Sequence, residues 1–460
     1  MKTYDVPVIG GGSAGTSAAA AAHQAGAKTA MFNEGELGGL CILRGCMPTK
    51  TMLHAAHLVH EPQHHHTPGI SPAAPEIDFA AVMANTAAKV ARFKKAKLAG
   101  IAAGGYEVID ARAQFSGPDT IEAGGETYRF TRGAVLASGS VPSLPPIPGI
   151  DKIDVWTSDT VMKLESIPES AIVMGGGAIG LELGLFLARM GTRVIQANRS
   201  RFFSKIDEEL ALQMKGVLDA EPNLTAVAPF DAQRIEQRDG QVHLHVEAED
   251  GPRTLSAQHF VAATGRDAHL EGLGLEAAGI EALRGRVTHD EAMKTTNPRI
   301  FVAGDATGNE LLLHVANWEG RSAGRGAAEV PGNHAVERRL AMTAIFTDPP
   351  LATIGLSERE AQQAGIPCVT ASAELASTGR CITMDVQHGL WKLVAHEHTG
   401  EILGSQILGP RADDIVHTIS AVMYYRGTAR DLLEMPWYHP TITEVGLSLA
   451  RGIVAQLKPV

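Results

Sequence analysis

The chain has few cysteines for its length. Only four occur among 460 residues, at positions 41, 46, 368 and 381, too few for the disulfide framework of a secreted protein of this size. Cys41 and Cys46 stand five positions apart, and a close pair in a reducing compartment more often serves redox or metal chemistry than structural cross-linking. A structural zinc site requires four ligands, usually in two close pairs. Because no second Cys/His pair stands at comparable spacing, the pair predicts redox chemistry, and we expect no metal site.

The sequence also lacks a concentration of positive charge. It contains 40 Lys and Arg against 51 Asp and Glu, a formal net charge of −11, and it has no long basic block. A nucleic-acid partner would require a basic face on the protein. We therefore expect no nucleic-acid partner and predict that the protein acts on small substrates.

Long apolar runs are absent as well. No segment approaches the ~18–20 uncharged apolar residues of a membrane span. Residues 6–9 already have a strand pattern, without the basic start and cleavage site of a signal peptide. We expect no membrane segment and predict a cytoplasmic protein.

Glycine and apolar residues are abundant. The chain has 49 glycines, and apolar residues make up 44% of it, a balance typical of tightly packed strand and helix units. At 460 residues it is too long for one core, so we expect two or three domains of roughly 100–200 residues each.

Two segments have the sequence pattern of a nucleotide-binding βαβ unit. Residues 6–9 predict a strand, residues 10–15 (GGGSAG) a glycine turn, the following Ala-rich stretch to residue 26 a helix, and residues 28–32 a second strand. The same order returns with a strand at 171–174, the turn GGGAIG at 175–180, a helix at 181–190 and a strand at 193–197. In such a turn the glycines let the backbone approach a pyrophosphate, which the free N–H groups of the helix N-terminus hold. One GxGxxG is weak evidence, but two in this context predict two dinucleotide sites.

Further patterns divide the rest of the chain. Residues 142–148 contain four prolines and predict a stiff linker at the end of the first domain. Residues 300–305 (IFVAGD) predict a buried strand, and mixed strands and helices follow residue 335. Residues 54–66 contain six histidines and residues 68–75 are rich in proline; together they predict a solvated loop, for which no ligand is required. The predicted segments are 1–150, 151–268, 269–335 and 336–460.

Taken together, these motifs resemble those of the class I flavoprotein disulfide reductases, the family of dihydrolipoamide dehydrogenase, glutathione reductase and mercuric reductase. The resemblance covers nearly the whole chain. It includes both glycine turns, the CxxxxCxPTK segment at 41–50, the turns ASGS at 137–140 and ATGR at 263–266, the Gly-Asp of the 300–305 strand, and HPTITE at 439–444. It implies an α/β fold with two Rossmann-like dinucleotide-binding domains and a C-terminal α+β dimerisation domain. The first and third segments would form the FAD-binding domain, the second the NAD(P)-binding domain, and the last the homodimer interface.

The resemblance also implies the cofactor contacts. For FAD they are Gly10, Gly12, Ser13, Ala14, Gly15, Asn33, Glu34, Gly39, Lys50, Ser138, Gly139 and Asp305, of which Asp305 would hydrogen-bond the ribityl chain. For the nicotinamide coenzyme they are Gly175, Gly177, Ile179, Gly180, Asn198, Arg199, Arg201 and Gly265.

The catalytic roles follow in the same way. Cys46 would lie against the flavin at a helix N-terminus, which stabilises a thiolate, and Cys41 would be the interchange thiol that meets the substrate. His439 would transfer protons, acting on Cys41 of the partner subunit, and Glu444 would orient it from the first turns of a helix. Lys50 and Glu182 would form an ion pair beside the flavin. Without the family pattern, both read as ordinary solvated charges.

Three positions depart from the family pattern. Asn33, with Glu34 next, replaces the acidic residue that usually holds the FAD ribose. Asn198 stands where NAD-dependent members have a carboxylate, and Arg199 and Arg201 follow it. Loss of the carboxylate and gain of arginines favour NADPH over NADH, although exposed loop arginines leave NADH open. Arg44, between the two cysteines, either adjusts the disulfide or contacts an acidic substrate.

The substrate remains the most open part of the prediction. Mercuric reductases carry a C-terminal cysteine pair, whereas no cysteine follows position 381 here, which disfavours mercury. Residues 50–60 (KTMLHAAHLVH) look most like dihydrolipoamide dehydrogenase, so a lipoyl-type dithiol or disulfide is the first candidate. A small disulfide such as glutathione disulfide is the second candidate, and a metal- or quinone-reducing flavoprotein is the third.

Overall fold

A computed structural model describes residues 1–65 and 67–459. The strands, in chain order, are β1 Lys2–Tyr4, β2 Val6–Ile9, β3 Thr29–Asn33, β4 Glu107–Asp110, β5 Ala113–Gly117, β6 Thr120–Ala123, β7 Glu126–Phe130, β8 Ala134–Leu136, β9 Ser140–Pro142, β10 Val155–Trp156, β11 Ser170–Met174, β12 Arg193–Ala197, β13 Leu224–Val227, β14 Phe230–Arg238, β15 Gln241–Ala248, β16 Gly251–Ala257, β17 His259–Ala262, β18 Arg266–Ala268, β19 Ala282–Leu283, β20 Arg286–Val287, β21 Ile300–Val302, β22 Met342–Ile345, β23 Leu351–Gly355, β24 Cys368–Glu374, β25 Leu390–His396 and β26 Ile402–Leu408.

The helices are α1 Ser13–Gln24, α2 Leu40–Leu43, α3 Cys46–His64, α4 Phe79–Ala102, α5 Ser158–Val161, α6 Ala178–Arg189, α7 Glu208–Asp219, α8 Leu313–Ala327, α9 Glu358–Gln363, α10 Gly379–Ile382, α11 Ala412–Tyr424, α12 Ala429–Glu434 and α13 Val445–Val454. Short 3-10 helices lie at Ile150–Lys152, Gly304–Thr307, Arg338–Leu340 and Leu375–Ser377. None of these helices is long and apolar enough to cross a membrane.

The chain forms two compact units. The first comprises Met1–Thr51, Ala84–Ser143 and Gly265–Arg338, and the second Met52–Met83, Leu144–Thr264 and Arg339–Val460. The domain limits expected at 150, 268 and 335 stay predictions.

The first unit is built on a parallel sheet in the order β21-β8-β2-β3-β4. Strand β2 is buried along its whole length, as a parallel strand covered on both faces must be. Apolar clusters pack on the two faces of this sheet, one containing the alanines of α1 and the other the aromatic residues of β3, β5 and β7. A second sheet in the order β1-β7-β6-β5 and the pairs β18-β9 and β19-β20 complete the unit.

The second unit contains another parallel sheet, in the order β10-β17-β11-β12-β13, with an antiparallel β14-β15-β16 sheet. Residues 342–408 add an antiparallel sheet in the order β22-β23-β26-β25-β24. Helix α11 packs on its strands β23 and β26 and α13 on β24 and β25. These two parallel sheets and the C-terminal α+β region confirm the expected fold class.

The expected loop was wrong for its histidine-rich part, whereas residues 67–78, which include its proline-rich part, form neither helix nor strand. The histidine-rich segment expected to form a solvated loop is the second half of α3, which continues through Pro62 to His64. The helix persists because Met52, Leu53 and Ala56, spaced for one helical face, are buried in an apolar cluster. Pro62 lies near the C-terminal end of α3. The backbone hydrogen bond that proline cannot donate is lost there without breaking the helix. His66 lies outside the described residues.

Candidate active site

The first glycine turn joins β2 to α1 in the first unit. Gly10 has a φ of +112°, and a Cβ placed on it would lie 2.1 Å from the carbonyl oxygen of Ala137. A Cβ on Gly15 would lie 1.8 Å from the carbonyl oxygen of Gly10. Neither position can accept a side chain, so the turn keeps the N-terminus of α1 close to the carboxyl ends of the strands.

The surroundings of this turn fit FAD. Gly12, the N-cap of α1, has no side-chain cap, and a Cβ on Gly39 would lie 2.8 Å from the Cα of Gly12. The segment before Cys41 therefore lies directly against the first turn of α1. The hydroxyl oxygen of Ser138 is buried and has no hydrogen-bond partner among the described residues. A bare helix N-terminus and an unsatisfied buried hydroxyl are the groups expected beside a bound dinucleotide.

Asn33 and Asp305 make contacts at the same sheet edge. The Asn33 amide oxygen accepts a hydrogen bond from the backbone N–H of Gly11 (3.0 Å), and its amide nitrogen donates to the carbonyl of Gly35 (3.2 Å). Asn33 therefore holds the glycine turn, and the second lone pair of its oxygen is left for a ribose hydroxyl. Glu34, beside it, is exposed. Asp305 follows β21 and accepts a hydrogen bond from the Ser140 hydroxyl (2.6 Å).

The two cysteines flank a tight turn between α2 and α3. Both side chains are present as thiols, Cys41 half-buried and Cys46 the first, exposed residue of α3. A hydrogen bond between the thiols, burial and repulsion by a Cys46 thiolate raise the pKa of Cys41, while the Lys50 ammonium acts to lower it. Because the sulfurs share one hydrogen bond, ionisation of one thiol opposes ionisation of the other. The pair is thus arranged for a thiolate at one sulfur and a proton at the other.

Lys97 of α4 is a candidate residue that the sequence did not reveal. Its ammonium donates a hydrogen bond to the Thr16 hydroxyl in the first turns of α1 (2.8 Å). Burial lowers the pKa of Lys97, and the negative charge of a Cys41 thiolate acts to raise it. Lys94 and Lys95 lie on the same helix, and only the packing of α4 distinguishes Lys97 from them.

The second glycine turn, in the second unit, repeats the first. A Cβ on Gly175 would lie 2.1 Å from the Ala263 carbonyl oxygen, and one on Gly180 would lie 2.2 Å from the Gly175 carbonyl oxygen. Asn198 accepts a hydrogen bond from the Gly176 N–H (3.0 Å), as Asn33 does in the first turn. The remaining predicted coenzyme contacts at this turn are open: Gly177 is the uncapped N-cap of α6, and Ile179, Arg199 and Arg201 are exposed.

The two other predicted site residues, Gly265 and Glu182, differ in their exposure to solvent. Gly265 is exposed with a φ of +126°, a conformation that favours glycine. Glu182 of α6 is only 2% exposed, and its carboxylate accepts a hydrogen bond from the Phe346 N–H (3.1 Å). The Lys50–Glu182 ion pair stays a prediction.

His439 and Glu444 are adjacent in the second unit. The Nδ1 of His439 lies 3.0 Å from both carboxylate oxygens of Glu444. The His439 side chain is 77% exposed, so its Nε2 is open to a reactant. The expected helical placement of Glu444 was wrong in detail, because Glu444 is the N-cap of α13 and not a residue within it. Its carboxylate also accepts the Thr441 N–H (3.1 Å), which fixes it toward the imidazole.

Comparison with known proteins gives consistent matches. A family model described as pyridine nucleotide-disulphide oxidoreductase matches residues 4–320, and a model of the dimerisation domain of that family matches residues 341–449. The mercuric reductase of Streptomyces lividans is 33% identical over 452 residues, 96% of this chain and 94% of the relative. The dihydrolipoyl dehydrogenase of Geobacillus stearothermophilus is 31% identical over 450 residues, again 96% and 94%. A solved structure of the HOCl-induced flavoprotein disulfide reductase RclA from Escherichia coli, at 23% identity, superposes with a TM-score of 0.85 over 97% of this chain and 99% of that chain.

Proposed function

We propose that this chain, which belongs to the pyridine nucleotide-disulphide oxidoreductase family, moves two electrons between NADPH and an external disulfide through Cys41 and Cys46. The observation that carries the proposal is the hydrogen-bonded thiol pair, placed at the start of α3 and just after the segment that lies against the first glycine turn.

The thiol pair supplies a balanced reaction. The Cys41 thiolate attacks one sulfur of the substrate disulfide, forming a mixed disulfide and releasing the first substrate thiol. The Cys46 thiolate then attacks the Cys41 sulfur, so that the Cys41–Cys46 disulfide forms and the second substrate thiolate leaves. The two electrons come from the Cys41–Cys46 pair. The one proton of the pair, on the Cys41 thiol, goes to the first substrate thiolate, and the second substrate thiolate takes its proton from water.

His439 is the residue that transfers protons to and from the reacting sulfur atoms. Its Nδ1 faces Glu444 at 3.0 Å, so the carboxylate fixes the imidazole with Nε2 directed outward and stabilises the imidazolium when it forms. His439 then gives a proton to the leaving thiolate, and it takes one from the attacking thiol in the reverse direction.

FAD would be held by the first glycine turn, Gly39, Ser138 and Asp305. When bound, FAD supplies the two-electron chemistry that connects a nicotinamide hydride to the Cys41–Cys46 disulfide. The second glycine turn would hold the nicotinamide coenzyme. Asn198, Arg199 and Arg201 favour NADPH, because no carboxylate opposes its 2′-phosphate and two exposed cations are near.

A lipoyl-type disulfide is the first substrate candidate, supported by the sequence of residues 50–60 and by a dihydrolipoyl dehydrogenase among the relatives. Mercuric ion replaces glutathione disulfide as the second candidate, because the relative from Streptomyces lividans is a mercuric reductase, although no cysteine follows position 381.

Steady-state kinetics test the proposal. NADPH and NADH oxidation would be measured with lipoamide, glutathione disulfide and mercuric ion, alongside release of elemental mercury. We expect turnover of lipoamide with NADPH as the better coenzyme. Mercury release without disulfide reduction would establish the second candidate, and a protein that is colourless on purification and inactive with all acceptors would contradict both.

A further inference from the structure

A buried carboxylate of α8 lies beneath the predicted flavin site. Glu319 is 0% exposed, although ionised carboxylates are rarely buried without a specific partner. The next residue, Gly320, packs on the first glycine turn, since a Cβ placed on it would lie 2.3 Å from the Ala14 carbonyl oxygen. Two neighbouring residues of α8 are therefore of interest. Gly320 packs against the N-terminus of α1, and Glu319 is a buried acid that has no role in the proposed reaction.

Glu319 holds the backbone at Gly304. One carboxylate oxygen accepts the Gly304 N–H (2.8 Å), and the other accepts a hydrogen bond from the Arg338 guanidinium (2.8 Å). Arg338, which is 30% exposed, also pairs with Glu310. Gly304 has a φ of +70°, and a Cβ on it would lie 2.7 Å from the Ala14 Cβ. The backbone here therefore needs both a glycine and a fixed acceptor.

Asp305, which follows Gly304, is held by a second set of hydrogen bonds. Asp305 accepts a hydrogen bond from the Ser140 hydroxyl (2.6 Å), and the Ser140 hydroxyl accepts one from Arg266 (2.8 Å). The Gly304–Asp305 step is thus fixed by two cation-linked contacts, one through Glu319 and Arg338 and one through Ser140 and Arg266. Such support is what keeps a binding group in place before its ligand arrives.

We propose that Glu319 is a positioning residue of the flavin site, which, paired with Arg338, holds the Gly304–Asp305 step in the conformation that binds the flavin ribityl chain. The inference rests on the proposed function, because the contact of Asp305 with FAD is part of that proposal.

Protonation provides a specific signature of this role. Burial raises the pKa of Glu319, while Arg338, the Gly304 N–H and His289 act to lower it; Glu310 faces it only through Arg338. A protonated Glu319 is a poorer acceptor for both the Gly304 N–H and Arg338. Flavin affinity therefore falls as the pH falls through the pKa of Glu319, and it does so at a higher pH than an ordinary glutamate would give.

The test measures the rate of FAD release from the purified holoenzyme by the increase of flavin fluorescence, from neutral to acid pH. For Glu319→Gln we expect FAD release to be faster by roughly 10- to 100-fold at neutral pH, and we expect the acid-dependent part of the release to be lost. The matched control is Glu310→Gln, which removes the other partner of Arg338, and it should release FAD within about twofold of the wild type. Wild-type release rate and pH dependence in Glu319→Gln would overturn the inference.

Two further outcomes are distinguishable. A wild-type protein that binds no FAD would contradict the proposed function itself. If Glu319→Gln does not fold, Arg338→Gln at a partly exposed position takes its place. Loss of the cation raises the pKa of Glu319, so FAD release should shift to higher pH, and an unshifted profile would overturn the inference.

Discussion

At the scale of single residues, Cys41 has the most direct part in the proposed reaction, because its sulfur is the one that forms the mixed disulfide. In Cys41→Ser we expect disulfide turnover to be abolished and NADPH oxidation by artificial electron acceptors to be retained, since those acceptors do not need the thiol pair. Steady-state assays with lipoamide and with a quinone acceptor measure both. The control is Cys368→Ser, a half-buried cysteine of β24, which should leave both rates unchanged. Normal disulfide activity in Cys41→Ser would remove Cys41 from the mechanism.

Arg199 is the residue at which the coenzyme preference can be tested. It is exposed and directly follows Asn198, whose amide holds the second glycine turn. Arg199→Glu should weaken the binding of NADPH roughly tenfold or more and should change the binding of NADH less. Only NADPH carries a 2′-phosphate, which the new carboxylate would repel. The KM values of both coenzymes give the measurement. Arg238→Glu, at the exposed end of β14, controls for the change in net charge, and equal effects on both coenzymes would count against the NADPH assignment.

Residues such as Lys97 and Glu319 show where sequence reasoning ends. The glycines and cysteines could be predicted because each stands in a short pattern whose spacing carries the chemistry. Lys97 is one of several lysines on α4, and Glu319 looks like an ordinary polar residue of α8. Their contacts with Thr16 and Gly304 join segments 81 and 15 residues apart. A pattern confined to neighbouring residues holds no information on such contacts.

At the scale of elements, the two βαβ units were predicted to within about three residues at each boundary, because alternating strand, glycine-turn and helix signals are local. The second half of α3 was not predicted as a helix. Its histidines and Pro62 indicate a loop, but the helix is held by the burial of Met52, Leu53 and Ala56. Tertiary packing overrides the local signal there.

A buried network of charged residues lies at the C-terminal end of α6, beside α3. Arg189, the last residue of α6, has a side chain only 3% exposed, and it makes a bidentate pair with Glu221 (2.9 Å each) and a third contact with Asp348 (3.0 Å). Two histidines of α3 join this network. His57 binds Asp348 (2.9 Å), while burial and the Arg189 charge lower the pKa of His60 to about 3. His60 is thus a neutral group beside a buried ion cluster at neutral pH.

Arg189→Met should destabilise the protein strongly. Removal of the guanidinium leaves the Glu221 carboxylate buried without its cation, and loss of one partner of a buried pair costs about 3–5 kcal/mol. The urea midpoint of the second unit, followed by circular dichroism, measures the effect. Arg193→Met is the matched control, because its pair with Glu169 is solvent-exposed (68% and 65%) and contributes little. Equal midpoints for the two variants would show that the buried network does not stabilise the unit.

At the scale of the whole molecule, a dimerisation domain spans residues 341–449, which indicates a homodimer. Three tyrosines within that span, Tyr424, Tyr425 and Tyr438, are exposed in the single chain. Exposed aromatic residues of this kind are typical of surfaces that a partner covers. His439 follows Tyr438 directly, so the proposed proton donor lies next to this surface. The sequence could predict such a dimer only through resemblance, because no local pattern encodes which surface a second copy covers.

A shared active site can be tested with hybrid dimers. Cys41→Ser is expected to be inactive, and His439→Gln to be slowed by roughly 10² to 10⁴. If His439 serves Cys41 of the partner subunit, a dimer with one chain of each variant combines both lesions in one site and leaves the other site intact. Random exchange makes half of the dimers hybrid, so mixing the two variants in equal amounts should restore about a quarter of wild-type disulfide reduction.

The measurement is lipoamide reduction after the two variants have been mixed, unfolded and refolded together. Each variant refolded alone is the control for recovery, and a wild-type sample treated in the same way sets the scale. If His439 acted within its own subunit, every site of a hybrid would carry one lesion and activity would stay at the level of the separate variants. Restored activity therefore requires that two chains build each site, since neither variant chain contains both the Cys41 thiol and the His439 imidazole.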